Sequence, residues 1–119
     1  MDFATDKPIY RQIVDYCYTR VISGAWKPSE KAPSVRELAV ELSVNTHTVL
    51  KAYETLQDEL IIAPRRGMGY YLAADAAEKV SQARRRDFYQ TSIPALRREM
   101  DLLGITPDEL LAHLTSSTQ

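Results

Sequence analysis

Two amphipathic helical segments separated by a two-residue connector, and followed at once by a hairpin rich in glycine and arginine, fill the stretch from Pro33 to Leu72, PSVRELAVELSVNTHTVLKAYETLQDELIIAPRRGMGYYL. Ser34 and Glu37 have capping-box spacing, in which hydroxyl and carboxylate each satisfy a backbone N–H at a helix start. Pro33 sits just ahead of them. Val35, Leu38, Ala39 and Leu42 recur at helical spacing and predict one buried face, leaving Arg36, Glu37, Val40 and Glu41 on the rest of the surface. In the connector Ser43-Val44 the valine plugs the angle between the helices, and Asn45 is the expected N-cap of the second. From Thr46 to about Glu59, Val49, Ala52, Tyr53 and Leu56 form the inward face. Thr46, His47, Leu50 and Lys51 surround the outward N-terminal part.

Ile61-Ile62 and Tyr70-Tyr71-Leu72 are short β-favouring runs on either side of Pro64-Arg65-Arg66-Gly67-Met68-Gly69. Helix, tight turn, helix and hairpin make the layout of a winged helix-turn-helix, a fold that sets the start of its second helix in a DNA major groove. The expected groove-facing residues are Thr46, His47, Leu50 and Lys51, with Thr48 in the same cluster. Arg65 and Arg66 in the wing are placed to neutralise phosphates or enter a minor groove, and Gly67 and Gly69 let backbone approach the duplex. The competing reading of the two arginines is a solvated turn.

The chain resembles the GntR family of transcriptional regulators. The resemblance is carried in order by Pro8-Ile9-Tyr10 with Gln12-Ile13, by PSVRELA (Pro33 to Ala39), by VNTHTVLKAYETL (Val44 to Leu56) and by RRGMGYYL (Arg65 to Leu72). It covers about residues 8–73, and VN-x-x-TV-x-KAY with the short tail resembles the YtrA-like branch. The family motif implies DNA contact by Arg36 within PS-x-RE, with Ser34 and Asn45 in the same interface. Three positions depart from the pattern. Ser29 and Ala32 stand where members usually carry Gly and Leu, which predicts a differently conformed loop and a slightly less filled core. Leu60 stands where a Gly often ends the recognition helix; left-handed Leu costs roughly 1–2 kcal/mol, so the exit turn is expected to avoid that conformation.

Charge bounds how such a chain could hold DNA. With 15 Lys/Arg against 16 Asp/Glu the formal net charge is −1, so the strongly basic signature of many nucleic-acid binders is missing. Residues 1–73 hold nine of each sign, and residues 74–119 hold six basic against seven acidic. Binding must therefore rest on a few placed groups, notably Arg36, Lys51, Arg65 and Arg66, and on two copies acting together. Cys17 is the single cysteine, so no internal disulfide forms and a reducing cytoplasm is the expected setting. No run is long enough to span a bilayer, and Met1-Asp2-Phe3 leads into the fold without a basic-then-apolar signal, so no membrane association is expected.

Upstream, Lys7 to Ser23 predicts a helix with Pro8 in its first turn and Asp6 as cap; Ile9, Ile13, Tyr16, Cys17 and Val21 form its apolar face, and Gly24 stops it. Trp26 is expected to pack back on the core, and Tyr10, Tyr16, Tyr18 and Tyr53 to serve core or interface rather than a cofactor. Downstream, Ala73-Ala74-Asp75 opens a helical stretch to Leu103, broken or kinked near Thr91-Ser92-Ile93-Pro94. Gly104 closes it, Thr106-Pro107-Asp108-Glu109 starts a short terminal helix, and Ser116 to Gln119 are expected to fray. Leu96, Met100 and Leu103 make one apolar stripe, and Leu110, Leu111 and Leu114 another, on a segment too small for its own core.

The expected architecture is thus mostly α with a small β-hairpin. It comprises a winged helix-turn-helix over residues 1–73 and a helical dimerisation tail over 74–119, with the six tail residues pairing two subunits. The YtrA-like resemblance implies the same homodimer. The tail leaves little room for a closed small-molecule pocket within one subunit, so an effector site is intersubunit or absent. A solvated helix face is favoured for Arg84-Arg85-Arg86 over an anion site. No enzyme is expected: Cys17 and His47 fall on different helices without an orienting acid or oxyanion donors. Neither a metal nor a cofactor is expected, since His47, His113 and Cys17 lack ligand spacing. A winged helix used only for protein contact is the alternative, and it predicts a wing without arginines. The reading is a homodimeric, cytoplasmic regulator of transcription, most simply a repressor on a palindromic operator in double-stranded DNA.

Overall fold

A computed structural model describes residues 7–116. The proposed cap Asp6, Met1 to Phe3, and the end of the tail beyond Ser116 lie outside the described residues. The elements run α1 (Ile9–Ile22), α2 (Val35–Leu42), α3 (Thr46–Asp58), β1 (Ile62–Arg65), β2 (Gly69–Leu72), α4 (Ala76–Asp87), a π-helical turn (Phe88–Ser92), α5 (Ile93–Leu103) and α6 (Pro107–Thr115). They form two compact units that divide between Ala83 and Arg84.

In the first unit α3 is the centre, with α1, α2 and β1 all packed against it. Its inward residues Val49, Ala52, Tyr53 and Leu56 are fully buried, as are Ile13, Val14 and Cys17 of α1 and Leu38 of α2. Trp26 packs edge-on to Tyr53, with ring centroids 6.5 Å apart. Both tyrosines that enter the core keep a partner for their hydroxyl. Tyr53 donates to the Pro33 carbonyl at 2.7 Å, tying the start of α2 to α3, and Tyr18 donates to Glu59 at 2.6 Å.

The capping box forms as the spacing requires. Ser34 Oγ accepts from Glu37 N–H at 3.0 Å, and Glu37 Oε1 accepts from Ser34 N–H at 2.9 Å. The backbone N–H of Ser34, then its hydroxyl, and then Lys31 nearby hold the Glu37 carboxyl below its ordinary value of 4.5. Because the folded value is the lower one, the stabilisation this carboxylate adds is present above the ordinary value and fades as pH falls through the folded one.

Three helices end in the same way. In each, a left-handed residue lets two N–H groups bond back to carbonyls of the last turn, as in a Schellman motif. Ser43 (φ 56) does so for α2, Leu60 (φ 64) for α3 and Gly104 (φ 69) for α5. The expectation that Leu60 avoids this conformation is therefore incorrect. Leu60 N–H donates to Gln57 and Ile61 N–H to Leu56, at 3.0 and 2.9 Å, and Ile61 is driven into the core with no exposed surface. Burying Ile61 against the end of α3 is worth about 1.5–3 kcal/mol, which offsets the roughly 1–2 kcal/mol of strain at Leu60. Since Leu60 itself is exposed, Leu60→Gly removes the strain and loses no packing. The variant is expected to gain up to about 1 kcal/mol after glycine's greater unfolded-state entropy is counted. The urea midpoint measures this, and a midpoint at or below the parent's with the same m-value would contradict it.

The loop before α2 also takes a glycine-like shape, since Ser29 adopts φ 65. From there the chain runs beside the hairpin: Ser29 N–H and Ala32 N–H donate to Leu72 and Tyr70, Leu72 N–H donates to Glu30, and Lys31 forms an antiparallel bridge with Tyr71. The hairpin thus gains a third strand-like edge, and Ala32 is buried at its base. β1 and β2 pair from Ile62↔Leu72 to Arg65↔Gly69. Pro64 and Arg65 are strand residues rather than turn; Pro64 is tolerated because β1 is an edge whose outer side bonds to nothing in the sheet.

The first unit's packing extends beyond the expected division at residues 73 and 74. Ala76, Val80 and Ala83 on one face of α4 join the core. In the second unit, Pro94 does not break the chain's helical course. The missing N–H falls in the first turn of α5, and the five-residue π turn ahead of it widens the helix where a proline ring needs space. Thr106 caps α6 by accepting from Glu109 N–H at 3.1 Å. No residue of the π turn, α5 or α6 is buried.

Candidate nucleic-acid interface

The start of α3 is fixed by its cap. Asn45 Oδ1 accepts from His47 N–H at 2.7 Å, which orients the first turn and leaves the Asn45 amide donor outward. Thr46, His47 and Lys51 are exposed and Thr48 half-buried, opposite the buried stripe of the same helix. Arg36 projects from the first turn of α2. The wing brings Arg65 at the end of β1, Arg66 and Gly67 at its tip, and Gly69 at the start of β2, all exposed. Gly67 and Gly69 take φ 72 and φ 90, values that a side chain would strain. Ser34, by contrast, has its oxygen committed to the capping box.

Cations of this unit differ in their partners. Lys7 is paired with Asp15 at 2.7 Å, and Lys79 lies 3.9 Å from Asp75. Arg36, Lys51, Arg65 and Arg66 have no ion pair or hydrogen bond from their side-chain nitrogens among the described residues. Two of them rest on aromatic faces instead. Lys51 Nζ lies 4.2 Å from the Tyr10 ring centroid, and the Arg65 guanidinium carbon lies 3.9 Å from that of Tyr71. A chain of net charge −1 therefore presents exposed cations on its winged unit that no carboxylate of the described residues pairs with.

Sequence reasoning missed three contributors to this surface. Lys31, on the strand-like edge, runs its side chain past Gly69, where an added Cβ would stand 3.1 Å from Lys31 Cε. Only the pairing of that edge with β2 brings it to the wing, and nothing in the spacing of the sequence signals that pairing. Tyr10 and Tyr71 were legible as β-favouring or packing residues and not as supports for cations. Cys17 and His47 are not brought together: the thiol is fully buried, and desolvation pushes its pKa up, while His47 is on the outward face of α3.

In the second unit Leu103, Leu111 and Leu114 are exposed, Leu96 markedly less so, and Met100 and Leu110 half-buried. Leu96, Met100, Leu110, Leu111 and Leu114 line an open groove of about 730 Å³ between α5 and α6, together with Ile93 and Ile105. Leu103 lies outside that lining. Arg84 and Arg85 are exposed in the last turn of α4, and Arg86 bonds to Asp87 at 3.0 Å. No helix among the described residues is long and apolar enough to cross a membrane.

A family model for bacterial regulatory proteins of the gntR family matches residues 9–72. The HTH-type transcriptional repressor YtrA of Bacillus subtilis (strain 168) is 42% identical over 76 residues, which are 64% of this chain and 58% of that protein. A solved GntR family transcriptional regulator from Listeria monocytogenes superposes with a TM-score of 0.73 at 35% identity, covering 98% of this chain and all (100%) of the other. AraR(DBD), solved in complex with operator ORR3, superposes with a TM-score of 0.55 at 26% identity over 61% of this chain and 86% of its own.

Proposed function

This chain belongs to the gntR family of bacterial regulatory proteins, and from that premise we propose that it represses transcription as a cytoplasmic homodimer of the YtrA-like branch, seated on a palindromic operator. It is a DNA-binding transcriptional regulator with a winged helix-turn-helix. Residues 1–73 read the DNA and the tail that follows pairs the subunits. The observation that carries the reading is the set of Arg36, Lys51, Arg65 and Arg66, cations on the winged unit that have no carboxylate partner among the described residues, in a chain whose charges otherwise balance. The side chains of Thr46, His47 and Thr48, at the start of α3, meet base edges and phosphates in the major groove. Arg36 and Lys51 flank them, and the wing arginines with Gly67 and Gly69 follow the backbone. Two such units, joined through Leu96, Met100, Leu103, Leu110, Leu111 and Leu114, cover two half-sites and exclude polymerase. Any small-molecule effector acts between subunits, through the open groove of the tail.

Selection of binding sites from random duplexes tests the assignment of roles. His47→Ala is expected to relax or change base preference at one position of each half-site while nonspecific affinity stays near the parent's. Enrichment of the same motif with equal discrimination would remove His47 from base reading.

A further inference from the structure

Lys51 and Arg65 share a feature that Arg36 and Arg66 lack: each cation sits over the face of a tyrosine borne on a different element. Lys51 of α3 lies over Tyr10 of α1, and Arg65 of β1 over Tyr71 of β2. We propose that Tyr10 and Tyr71 are positioning residues for DNA binding, holding these two cations in their phosphate-ready orientation before the duplex arrives. The inference rests on the DNA-binding reading and adds to it residues that do not themselves need to touch DNA.

The physical argument begins with the freedom of the side chains. Lys and Arg carry the largest rotamer entropies, and an interface that immobilises them loses affinity in proportion. A ring that holds the cation in the free protein has met part of that cost beforehand. Aromatic faces suit this task better than carboxylates do. A carboxylate would neutralise the charge that phosphate must meet, whereas the ring quadrupole attracts the cation and leaves its charge in place. For Arg65 the guanidinium donors lie in the plane of the group, so a face resting on Tyr71 leaves its edges free for a phosphate.

The backbone places the wing pair without strain. Tyr71 stands opposite Ala63, and Arg65 stands opposite Gly69. Arg65 is two residues beyond Ala63 on the same face, so it reaches Tyr71 as a diagonal neighbour. Gly69 supplies no side chain to come between them. Tyr10 and Tyr71 are both only half-buried and lie at the margin of the core, where their rings remain partly open to a cation.

Double-mutant cycles on the full chain, read by duplex affinity as a function of salt, test the proposal. Tyr71→Leu and Tyr10→Leu are each expected to weaken binding about three- to tenfold with the salt slope unchanged, because no phosphate contact is deleted. Arg65→Ala and Lys51→Ala are expected to lower the slope by about 0.9 for each lost contact. The Tyr71→Leu effect should vanish in an Arg65→Ala background, and the Tyr10→Leu effect in a Lys51→Ala background. Tyr→Phe at either site, which keeps the ring and loses the hydroxyl, should restore parent affinity. Additive effects, or Phe variants as weak as the Leu variants, would overturn the proposal. If Tyr71→Leu unfolds the hairpin, the Tyr10 and Lys51 cycle decides, with the same two contrary results. A folded parent that binds no duplex would overturn the DNA-binding reading and this inference with it, whereas tight parent binding with additive cycles overturns this inference alone.

Discussion

A chain ending after Asp87 is expected to fold, to sediment largely as a monomer, and to bind a full operator ~10²–10⁴-fold more weakly than the full chain, because linked half-site binding is lost. The cut is set by packing. Ala76, Val80 and Ala83 belong to the core of the winged unit, so ending the chain near Ala74 would remove core side chains as well as the tail. Among the described residues, none beyond Asp87 is buried. The π turn, α5 and α6 contain no buried residue, and Leu103, Leu111 and Leu114 are each more than half exposed, at 67%, 56% and 72%. Exposed apolar side chains of this kind mark a partner surface, and on the proposed reading a second copy covers them with the same patch on both sides. Sedimentation and gel shift on one sample check both links. A truncated protein that remains a dimer would place the pairing surface in the winged unit, and a monomer as tight as the parent would show that pairing does not hold the protein on DNA.

Replacing Arg65 and Arg66 together with Ala is expected to flatten the salt dependence of binding. Each phosphate contact contributes about 0.9 to the log–log slope, so a dimer that loses four contacts loses about 3.6. The consequence is large. Between roughly 200 and 50 mM salt the gap in affinity between parent and variant should widen about a hundredfold. The prediction is specific to the wing because, among the described residues, neither guanidinium has an internal ion pair whose loss would unsettle the fold. Equal slopes and equal affinities for parent and variant would remove the wing from the interface.

Much of the winged unit was legible because its signals are local. Ser34 with Glu37, Asn45, the helical stripes of α2 and α3, and the paired glycines of the wing each fix a structure within a few residues. The candidate residues followed for the same reason, since an N-cap and an outward first turn fix what a helix presents. What escaped is set by distant packing. Leu60 looks unfit for a left-handed turn until Ile61 is seen to be buried behind it. Lys31 reaches the wing only because Ser29 to Ala32 pair with β2, and α4 joins the first core through three small or β-branched residues that read as ordinary helix. Pro94 correctly signalled an irregularity near Ser92, but the chain met it with a wider turn rather than a break.

Titration of the full chain against a duplex carrying a motif recovered from random selection, followed by sedimentation at decreasing salt, tests the central claim most directly. The account predicts a symmetric motif, two chains per duplex, and an affinity that climbs steeply as salt is lowered. A folded protein that enriches no motif and leaves every duplex unbound at low salt would contradict it.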